Sequence, residues 1–536
     1  MKQKHKLWTR ATIIAISSIL ITLVFHFLGL FNAFENKSYD LRMINAAKYK
    51  QPCEEICLII VDQESIDWAK EKYNWSWPWP REAYGRMIDF ISAGNPKAIA
   101  FDILYTEPSV YGEDDDIALG MAEARSKKVI QTFFYSADDY GKTLMPVKPI
   151  NDNAALLGNI TSAKDNDDII RRTRLFDTFN ETEYPTLGLA PLFLSEEEPD
   201  FSSIPVLDNN TALLRFTKSI DDYFPYSAKD ILESHELWLQ GKESVFCAYY
   251  APGLFDICST PVSQVYPGVG IHITTLDNYL TGSFIKKVPF CISLLWLIAL
   301  AFFASLFAVI SEKISPRFSA VFISAGIFAG IAVSIFVPVI LFNNGIWLLM
   351  ISPLFAFLIS EMASVVVSLS VEGKQKRFIR SAFSQCLSKD VVNQIINDSS
   401  SFTLGGKEFE MSAIFTDIQK FSSFSELLTA KELGCLLNFY LTKMSDIIID
   451  EKGTVDKYEG DAIVALVGAP VAMPDHAVHA CAAAIKMKKA EQVMNQDIVR
   501  YSKNPKPSWM EEALYSAFKT LVTNNKTIFT RIGINS

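Results

Sequence analysis

Two carboxylates at the ends of predicted strands are the residues of this chain best placed to do chemistry. Asp417 follows the apolar run Ala413–Phe415, which is typical of a short buried strand, and a polar turn comes after it. Asp461 lies at the tip of a predicted hairpin, directly after Gly460, which permits a tight turn. Adjacent antiparallel strands would bring both acids to the same end of a sheet. Oxygen ligands suit hard divalent cations and free amides suit phosphate, so the pattern favours a site for a divalent cation and a polyphosphate.

The elements that must position these acids read as strand, turn, helix, helix and hairpin between residues 412 and 468. The longer helix begins after Thr429, which forms a capping box with Glu432. An apolar stripe of helical period, interpreted as core or dimer surface, comprises Leu433, Leu436, Leu437, Tyr440, Met444 and Ile447. The polar, lysine-bearing stretch 492–526 is interpreted as a variable insertion.

Length and composition indicate a membrane protein with soluble domains. The chain has 536 residues, enough for two or three units, and combines 49% hydrophobic residues with a net charge of −10. The acidic balance argues against nucleic acid as a partner. Eight cysteines are sparse, and neither a CxxC pair nor a Cys/His cluster suggests zinc. Four cysteines lie in the segment expected outside the cytoplasm: Cys53, Cys57, Cys247 and Cys258. They are compatible with one or two disulfides, and equally with unpaired buried thiols.

Four apolar runs are long enough to cross a bilayer. They span residues 11–31, 288–310, 318–342 and 346–369. The lysines and arginine of residues 1–10 favour a cytoplasmic N-terminus and an uncleaved anchor, and the basic run Lys374–Arg380 after the fourth crossing agrees with a cytoplasmic location. Lys286 and Lys287 conflict with this orientation, because they lie on the opposite side.

The region 32–284 is polar enough to be a soluble domain and alternates strand and helix patterns. Cys57–Asp62 reads as a buried strand, Glu82–Gly94 as an amphipathic helix closed by glycine, and Lys97–Tyr105 as a second strand. This order predicts a βαβ unit and a largely parallel or mixed α/β sheet.

Five segments of this region resemble the second type of CHASE domain, an extracytoplasmic bacterial sensor. In chain order they are YDLRM (39–43), WPWPR (77–81), AIAFDILYTEPS (98–109), DDDIAL (114–119) and PGVGIHITTLDNYLTG (267–282). The resemblance implies that residues 32–284 detect an extracytoplasmic signal, whose nature it leaves unknown. Asp62 and Asp102 follow strands at the edge where α/β folds bind ligands, although capping of helices or turns is the plainer alternative.

The motifs FTDIQKFSSFSE (415–426) and DKYEGDAIVALVG (456–468) resemble the two metal motifs of class III adenylate/guanylate cyclases, with a likeness over residues 410–536. The resemblance implies an α+β, ferredoxin-like catalytic domain that uses two divalent metal ions, Mg²⁺ or Mn²⁺. It assigns the metal to Asp417, Ile418 and Asp461, of which Asp417 and Asp461 are also the catalytic residues.

The same resemblance implies contacts with the nucleotide. Besides Lys457, the positions that match substrate-binding residues are Ile418, Phe421, Ser422 and Gly460. Lys420 stands where the family usually has a glycine, so the approach of phosphate is expected to differ there. Lys457 matches the position at which adenylate cyclases carry lysine and guanylate cyclases glutamate; a lysine donates to adenine N1, which favours ATP.

Together these features predict a bacterial inner-membrane receptor with an extracytoplasmic sensor, a transducing linker at residues 370–409, and a cytoplasmic cyclase domain that makes cyclic AMP and pyrophosphate. Family geometry implies a homodimer through the cyclase domain and linker. After residue 536 the family continues with an adenine-binding acid and with an asparagine and an arginine for the transition state, so impaired catalysis is expected of this chain alone. The alternative is a non-catalytic membrane sensor, or pseudo-cyclase, that acts through protein partners.

Overall fold

The computed structural model describes residues 2–136, 142–196, 198–234, 241, 243–311, 316–383 and 408–536. It divides into two compact units, Met1–Val365 and Val366–Ser536. The predicted transducing linker, residues 370–409, lies for the most part outside the described residues, since 384–407 are not among them.

The first unit contains the predicted soluble domain and the apolar helices. Its helices are α1 (Lys2–Phe27), α2 (Asn32–Ala47), α3 (Gln63–Tyr73), α4 (Arg81–Ala93), α5 (Glu113–Ser126), α6 (Lys148–Asn151), α7 (Leu192–Ser195), α8 (Ala228–Glu233), α9 (Gly268–Leu280), α10 (Phe290–Ser311), α11 (Pro316–Asn343) and α12 (Ile351–Phe383). The last of these continues into the second unit.

The strands of the first unit are short. They are β1 (Ile56–Val61), β2 (Ala98–Asp102), β3 (Val129–Ser136), β4 (Lys142–Leu144), β5 (Leu156–Asn159), β6 (Arg172–Arg174), β7 (Phe176–Phe179), β8 (Thr182–Pro185), β9 (Val206–Leu207), β10 (Thr211–Leu213), β11 (Tyr226–Ser227), β12 (Ser244–Tyr249), β13 (Ile257–Cys258), β14 (Tyr266–Pro267), β15 (Lys286–Lys287) and β16 (Ile346–Trp347).

The main sheet has the order β11-β1-β12-β2-β3-β4, with β5 beside β3. Every pairing in it is parallel except that of β4. All six residues of β1 are buried, and alternate side chains enter two separate apolar clusters, with Leu58 in one and Ile59 in the other. Helices therefore cover both faces, as a parallel sheet requires. The predicted α/β class is confirmed, and β12 separates the two strands of the predicted βαβ unit.

The two acids that follow strands of this sheet have different surroundings. Asp62 caps α3, because its carboxylate accepts the N–H of Ser65 at 2.8 Å and the hydroxyl of Ser227 at 3.1 Å. The structure thus gives Asp62 the capping role. Burial, and after it the charge of Asp256, raises the pKa of Asp102 to about 7.

The described cysteines of this unit carry no disulfide. Cys53, Cys57, Cys247 and Cys258 are all free thiols, two of them buried in the parallel sheet. Burial raises the pKa of Cys57 to about 12, which keeps it an inert thiol. Of the two alternatives open at the level of sequence, the structure has unpaired thiols.

Four helices are long and apolar enough to cross a membrane among the described residues. Their apolar segments are Trp8–Phe27, Phe290–Ala308, Val321–Asn343 and Ile351–Ser368. The fourth begins five residues later than the predicted start at Ile346. Ile346 and Trp347 instead form β16, which pairs in parallel with β15.

The start of α12 is held by two side chains of α2. The Glu35 carboxylate accepts the N–H groups of Met350 at 3.0 Å and Ile351 at 2.9 Å, two of the donors that a helix start leaves unpaired. Arg42 donates to the Leu348 carbonyl at 2.9 Å and to Glu35 at 3.1 Å. Both side chains are buried, so they fix the position at which the last span begins.

The second unit is an antiparallel sheet with helices on one face. Its elements are β17 (Ser412–Ile418), α13 (Ser422–Ser425), α14 (Ala430–Asp450), β18 (Thr454–Glu459), β19 (Ala462–Val467), α15 (His476–Lys503), α16 (Glu512–Thr523) and β20 (Thr530–Asn535). The strand order is β18-β19-β17-β20, which is the ferredoxin-like arrangement that the sequence predicted. Burial alternates along β17, so one face packs on helices and the other does not.

The helices of this unit begin and pack for local reasons that the sequence shows. Thr429 and Glu432 form the predicted capping box at the start of α14, and Tyr440 lies in its buried stripe. The stretch 492–526 is structured: it continues α15 and then forms α16, whose Phe518 joins the same core.

Candidate functional site

The structure brings the two predicted acids to one end of the antiparallel sheet. Asp417 is the penultimate residue of β17, and Asp461 directly precedes β19, the antiparallel neighbour of that strand. The Asp461 carboxylate accepts the N–H of Ile418 at 2.8 Å. Because Ile418 follows Asp417 in the strand, this bond ties the two acidic positions together across the end of the sheet.

Asp417 lies on the face of the sheet that the helices leave open. Its neighbours two residues apart along β17 include Phe415, which is 53% exposed, whereas the intervening Thr416 and Ile418 are buried. The period of two along a strand therefore directs Asp417 away from the core, where solvent and a ligand have access to it.

Arg531 neutralises Asp417. The two residues are directly opposite each other in the pairing of β17 with β20. Arg531 Nε donates to Asp417 Oδ1 at 2.8 Å, and Nη2 donates to the other carboxylate oxygen. This bond, and after it the charge of Asp417, raises the pKa of Arg531. The two motifs did not point to Arg531; the signal available was its place on a strand that borders β17.

Helix α15 holds the strand that carries Arg531. The buried Glu491 accepts the N–H of Thr530 at 2.5 Å, and Lys488 donates to the Thr530 carbonyl at 3.2 Å. Asn495 accepts the N–H of Ile528 at 2.9 Å and donates to its carbonyl at 2.8 Å. These bonds to the backbone fix β20 just before Arg531.

The turn after β17 uses some of the amides that a phosphate would need. The N–H of Gln419 donates to the Phe529 carbonyl at 2.8 Å, and that of Phe421 donates to the Ile418 carbonyl at 3.2 Å. Lys420 has a φ of 55°, in the left-handed region that favours glycine. This conformation gives a physical reason for the glycine expected at that position.

Two further predicted residues lie at the ends of their elements. Gly460 forms the tip of the hairpin between β18 and β19 with a φ of 66°, so its role there is conformational. Ser422 is exposed and begins α13, which is a single turn.

Lys457 lies on β18, beyond an irregularity in the pairing of this strand with β19. Its Nζ is 2.9 Å from Glu459 Oε1, and both side chains are more than half exposed. The hydrogen bond to Glu459, and after it the charge of that carboxylate, raises the pKa of Lys457. The lysine is therefore a solvent-accessible cation with a carboxylate partner that solvent screens.

The side chains at this end of the sheet fit a hard divalent cation. Asp417 and Asp461 supply carboxylate oxygens, and Arg531 occupies the position of a counter-cation. Within the part of the chain that the structure describes, no group of three or more His, Cys, Asp and Glu side chains is arranged to hold a metal ion. A cation here would take its remaining oxygen ligands from backbone carbonyls, water and phosphate.

The fold and site define a multidomain membrane protein: an α/β domain, four candidate membrane spans and an α+β domain with two carboxylates at one sheet end. Residues 15–310 match the CHASE2 domain family, and residues 407–536 match the adenylate and guanylate cyclase catalytic domain. The chain belongs to the CHASE2-domain proteins and carries a class III adenylate/guanylate cyclase domain at its C-terminal end.

Similar proteins match part of this chain. Adenylate cyclase 1 of Rhizobium meliloti is 34% identical over 86 residues, which are 16% of this chain and 13% of that protein. The uncharacterized protein Rv1320c of Mycobacterium tuberculosis is 29% identical over 126 residues, 23% of this chain and 22% of that protein. The adenylyl cyclase CyaB from P. aeruginosa is 30% identical, with coverage of 25% and 58% and a TM-score of 0.20. The chain thus spans less than a quarter of the length of the curated relatives it matches.

Proposed function

We propose that this chain is a membrane-bound receptor adenylate cyclase, which converts ATP to cyclic AMP and pyrophosphate under the control of its sensor domain. The observation that carries the proposal is the convergence of Asp417 and Asp461 at one end of the sheet in a cyclase-family domain. The 34% identity to an adenylate cyclase supports the reaction class.

Cyclisation joins the ribose 3′ oxygen to the α-phosphorus and releases pyrophosphate, so negative charge develops on both the attacking and the leaving oxygen. Two divalent ions, Mg²⁺ or Mn²⁺, would be held by Asp417 and Asp461 and would supply Lewis-acid stabilisation of that charge. The bond from Ile418 orients Asp461 for this task. Arg531 now bonds Asp417, and its guanidinium would be available to phosphate oxygens if a metal ion took its place on that carboxylate.

Lys457 selects the base in this proposal. Its ammonium group donates to N1 of adenine, which is an acceptor, whereas guanine presents a protonated N1. The exposed contact with Glu459 is weak enough for a nucleotide to displace.

The orientation and assembly belong to the same proposal. In it, the sensor lies outside the bacterial inner membrane, the cyclase domain lies in the cytoplasm, and a homodimer forms through the cyclase domain and linker; the four apolar helices and the two domain families support this arrangement. The sensor's signal is then relayed through α12, the helix that contains the last span and continues beyond it along the chain.

The test is cyclic AMP production by the purified full-length chain in nanodiscs, supplied with ATP and Mn²⁺. Asp417→Asn and Asp461→Asn should each lower the rate at least about a hundredfold, because each removes an anionic metal ligand. Asp450→Asn, a change at an exposed acid at the end of α14, should leave it unchanged.

A wild-type rate no higher than that of Asp417→Asn would contradict the proposal. Binding of a fluorescent ATP analogue under the same conditions would show whether the nucleotide site itself is formed. If the wild-type rate is no higher than that of Asp417→Asn, the chain is instead a membrane sensor that acts through protein partners.

A further inference from the structure

We propose that a cavity at the membrane-facing end of the sensor binds the phosphate group of an anionic phospholipid through Lys287 and Arg172. The cavity has a volume of about 300 Å³, at the lower end of the range for ligand pockets. Besides the two cations it is lined by Asn36, Ser293 and Ser352.

The cavity lies at the level at which lipid headgroups would surround the helices. It is lined by residues from the sensor-side ends of three apolar helices: His26 of α1, Phe290 of α10 and Ser352 of α12. The apolar segments of these helices end at Phe27 or begin at Phe290 and Ile351, so the cavity lies where the spans leave the hydrocarbon region. Trp347 in its wall is a residue typical of this interface.

The cavity has an excess of positive charge. Its one carboxylate, Glu35, already accepts three donors, from Arg42 and from the first amides of α12. Lys287 Nζ lies 4.9 Å from the centre of the Trp347 ring and has no ion pair in the described ranges. Arg172 Nε is 3.0 Å from an Asp165 oxygen, which leaves its terminal nitrogens for other partners.

These groups match a phosphate. An arginine presents two parallel donors to phosphate oxygens, and a lysine adds a compact charge. The hydroxyls of Ser293 and Ser352 and the amides of Asn32 and Asn36 offer neutral hydrogen bonds around the two cations.

Apolar helix surface adjoins the cavity, which favours a lipid over a free phosphate ion. A second space that shares His26, Phe290 and Ser352 with the cavity has a volume of only about 10 Å³, so it does not hold an acyl chain. The apolar side chains of Phe27, Phe290 and Leu295 are instead exposed on the outer faces of α1 and α10. A lipid whose phosphate occupies the cavity would lay its acyl chains against these faces.

The proposal also accounts for one of the two lysines that conflict with the orientation expected from charge. Lys286 and Lys287 lie on the sensor side, where basic residues are less frequent than on the cytoplasmic side. Successive strand residues point in opposite directions, and only Lys287 lines the cavity. Lys286 is therefore a control of equal charge one residue away.

The experiment places the full-length chain in nanodiscs of phosphatidylcholine alone or mixed with phosphatidylglycerol, and counts retained lipid by native mass spectrometry. Wild type should retain phosphatidylglycerol after transfer to phosphatidylcholine-containing detergent. Lys287→Gln and Arg172→Gln should each weaken that retention about tenfold, the effect of one lost charged hydrogen bond. Lys286→Gln should retain lipid as wild type does, and Lys287→Arg should restore the retention.

A second arm distinguishes the source of the phosphate. Inorganic phosphate added to the phosphatidylglycerol-loaded chain should fail to displace the lipid, because it lacks the apolar chains. Displacement by inorganic phosphate at low millimolar concentration would overturn the lipid assignment. Equal loss of lipid in Lys286→Gln and Lys287→Gln, or no loss in either cation variant, would overturn the site.

Discussion

Arg531 and Asp417 are directly opposite each other on neighbouring antiparallel strands, and the arginine bonds both carboxylate oxygens. Asp417, a predicted metal ligand, thus already has a cationic partner within its own chain. In the proposed function, metal binding at this site would exchange one cation for another, and its affinity would depend on how readily Arg531 leaves.

Replacing Arg531 with glutamine should tighten Mn²⁺ binding in the absence of nucleotide. The pair is exposed and solvent screens it, so its loss should lower the Kd for Mn²⁺ by no more than about fivefold. Electron paramagnetic resonance of free Mn²⁺ titrated with the full-length chain measures this. Arg500→Gln, which removes another exposed ion pair, is the matched control. Weaker Mn²⁺ binding in the Arg531 variant would show that the guanidinium does not compete with the metal.

The charge at Lys457 should set the preference between nucleotides. Lys457→Glu should weaken ATP relative to GTP about tenfold, because a carboxylate accepts from the protonated N1 of guanine and repels the acceptor N1 of adenine. Competition binding of the two nucleotides to the full-length chain is the measurement. Lys452→Glu reverses another exposed charge, in the turn before β18, and should not change the ratio. An unchanged ratio in Lys457→Glu would remove this residue from base selection.

The buried pair of Arg42 and Glu35 should matter far more than an exposed pair. Arg42→Met leaves the Glu35 carboxylate buried with one donor fewer, and the expected loss of unfolding free energy is about 3–5 kcal/mol. Arg125→Met, which breaks an exposed pair with Asp89, should cost less than about 1 kcal/mol. Thermal midpoints of the two variants in nanodiscs compare them. Similar midpoints would mean that α2 does not fasten the start of α12.

Stability of the sensor should depend on pH through Glu123. Burial raises the pKa of Glu123 to about 8, against a smaller lowering by the bond from Gln131. Its Oε2 and the Gln131 Oε1 are both buried without a hydrogen-bond partner in the structure, and a proton on the carboxyl supplies the missing donor. The folded chain therefore keeps a proton that the unfolded chain releases above its ordinary pKa of 4.5.

The stabilisation from this proton is fully present below pH 4.5 and is lost as pH rises through about 8. Glu123→Gln should flatten this part of the curve of thermal midpoint against pH. At pH values above 8 its thermal midpoint should be higher than that of wild type, because the amide needs no added proton to donate. Glu113→Gln, at an exposed acid of the same helix, should follow wild type. Parallel curves for wild type and Glu123→Gln would contradict the assignment.

Local pattern was sufficient for much of the architecture. The capping box at Thr429, the strand ending near Asp417 and the apolar runs all depend on residues within one or two helical turns of each other, so spacing predicts them. The sequence predicts a fourth span from Ile346, because Ile346 and Trp347 are as apolar as the residues of a span. Their pairing with Lys286 and Lys287 makes them a strand, so the helix begins later.

The sequence by itself determined the two families of domain, the four spans and the presence of Asp417 and Asp461 at strand ends, because motifs and periodicity are properties of neighbouring residues. The tertiary structure alone decided which strands become neighbours. It inserted β12 between the first two strands of the sensor, and it placed Arg531 against Asp417. Strand order is set by the packing of distant segments. The two motifs that contain the acids therefore do not predict that Arg531 partners one of them.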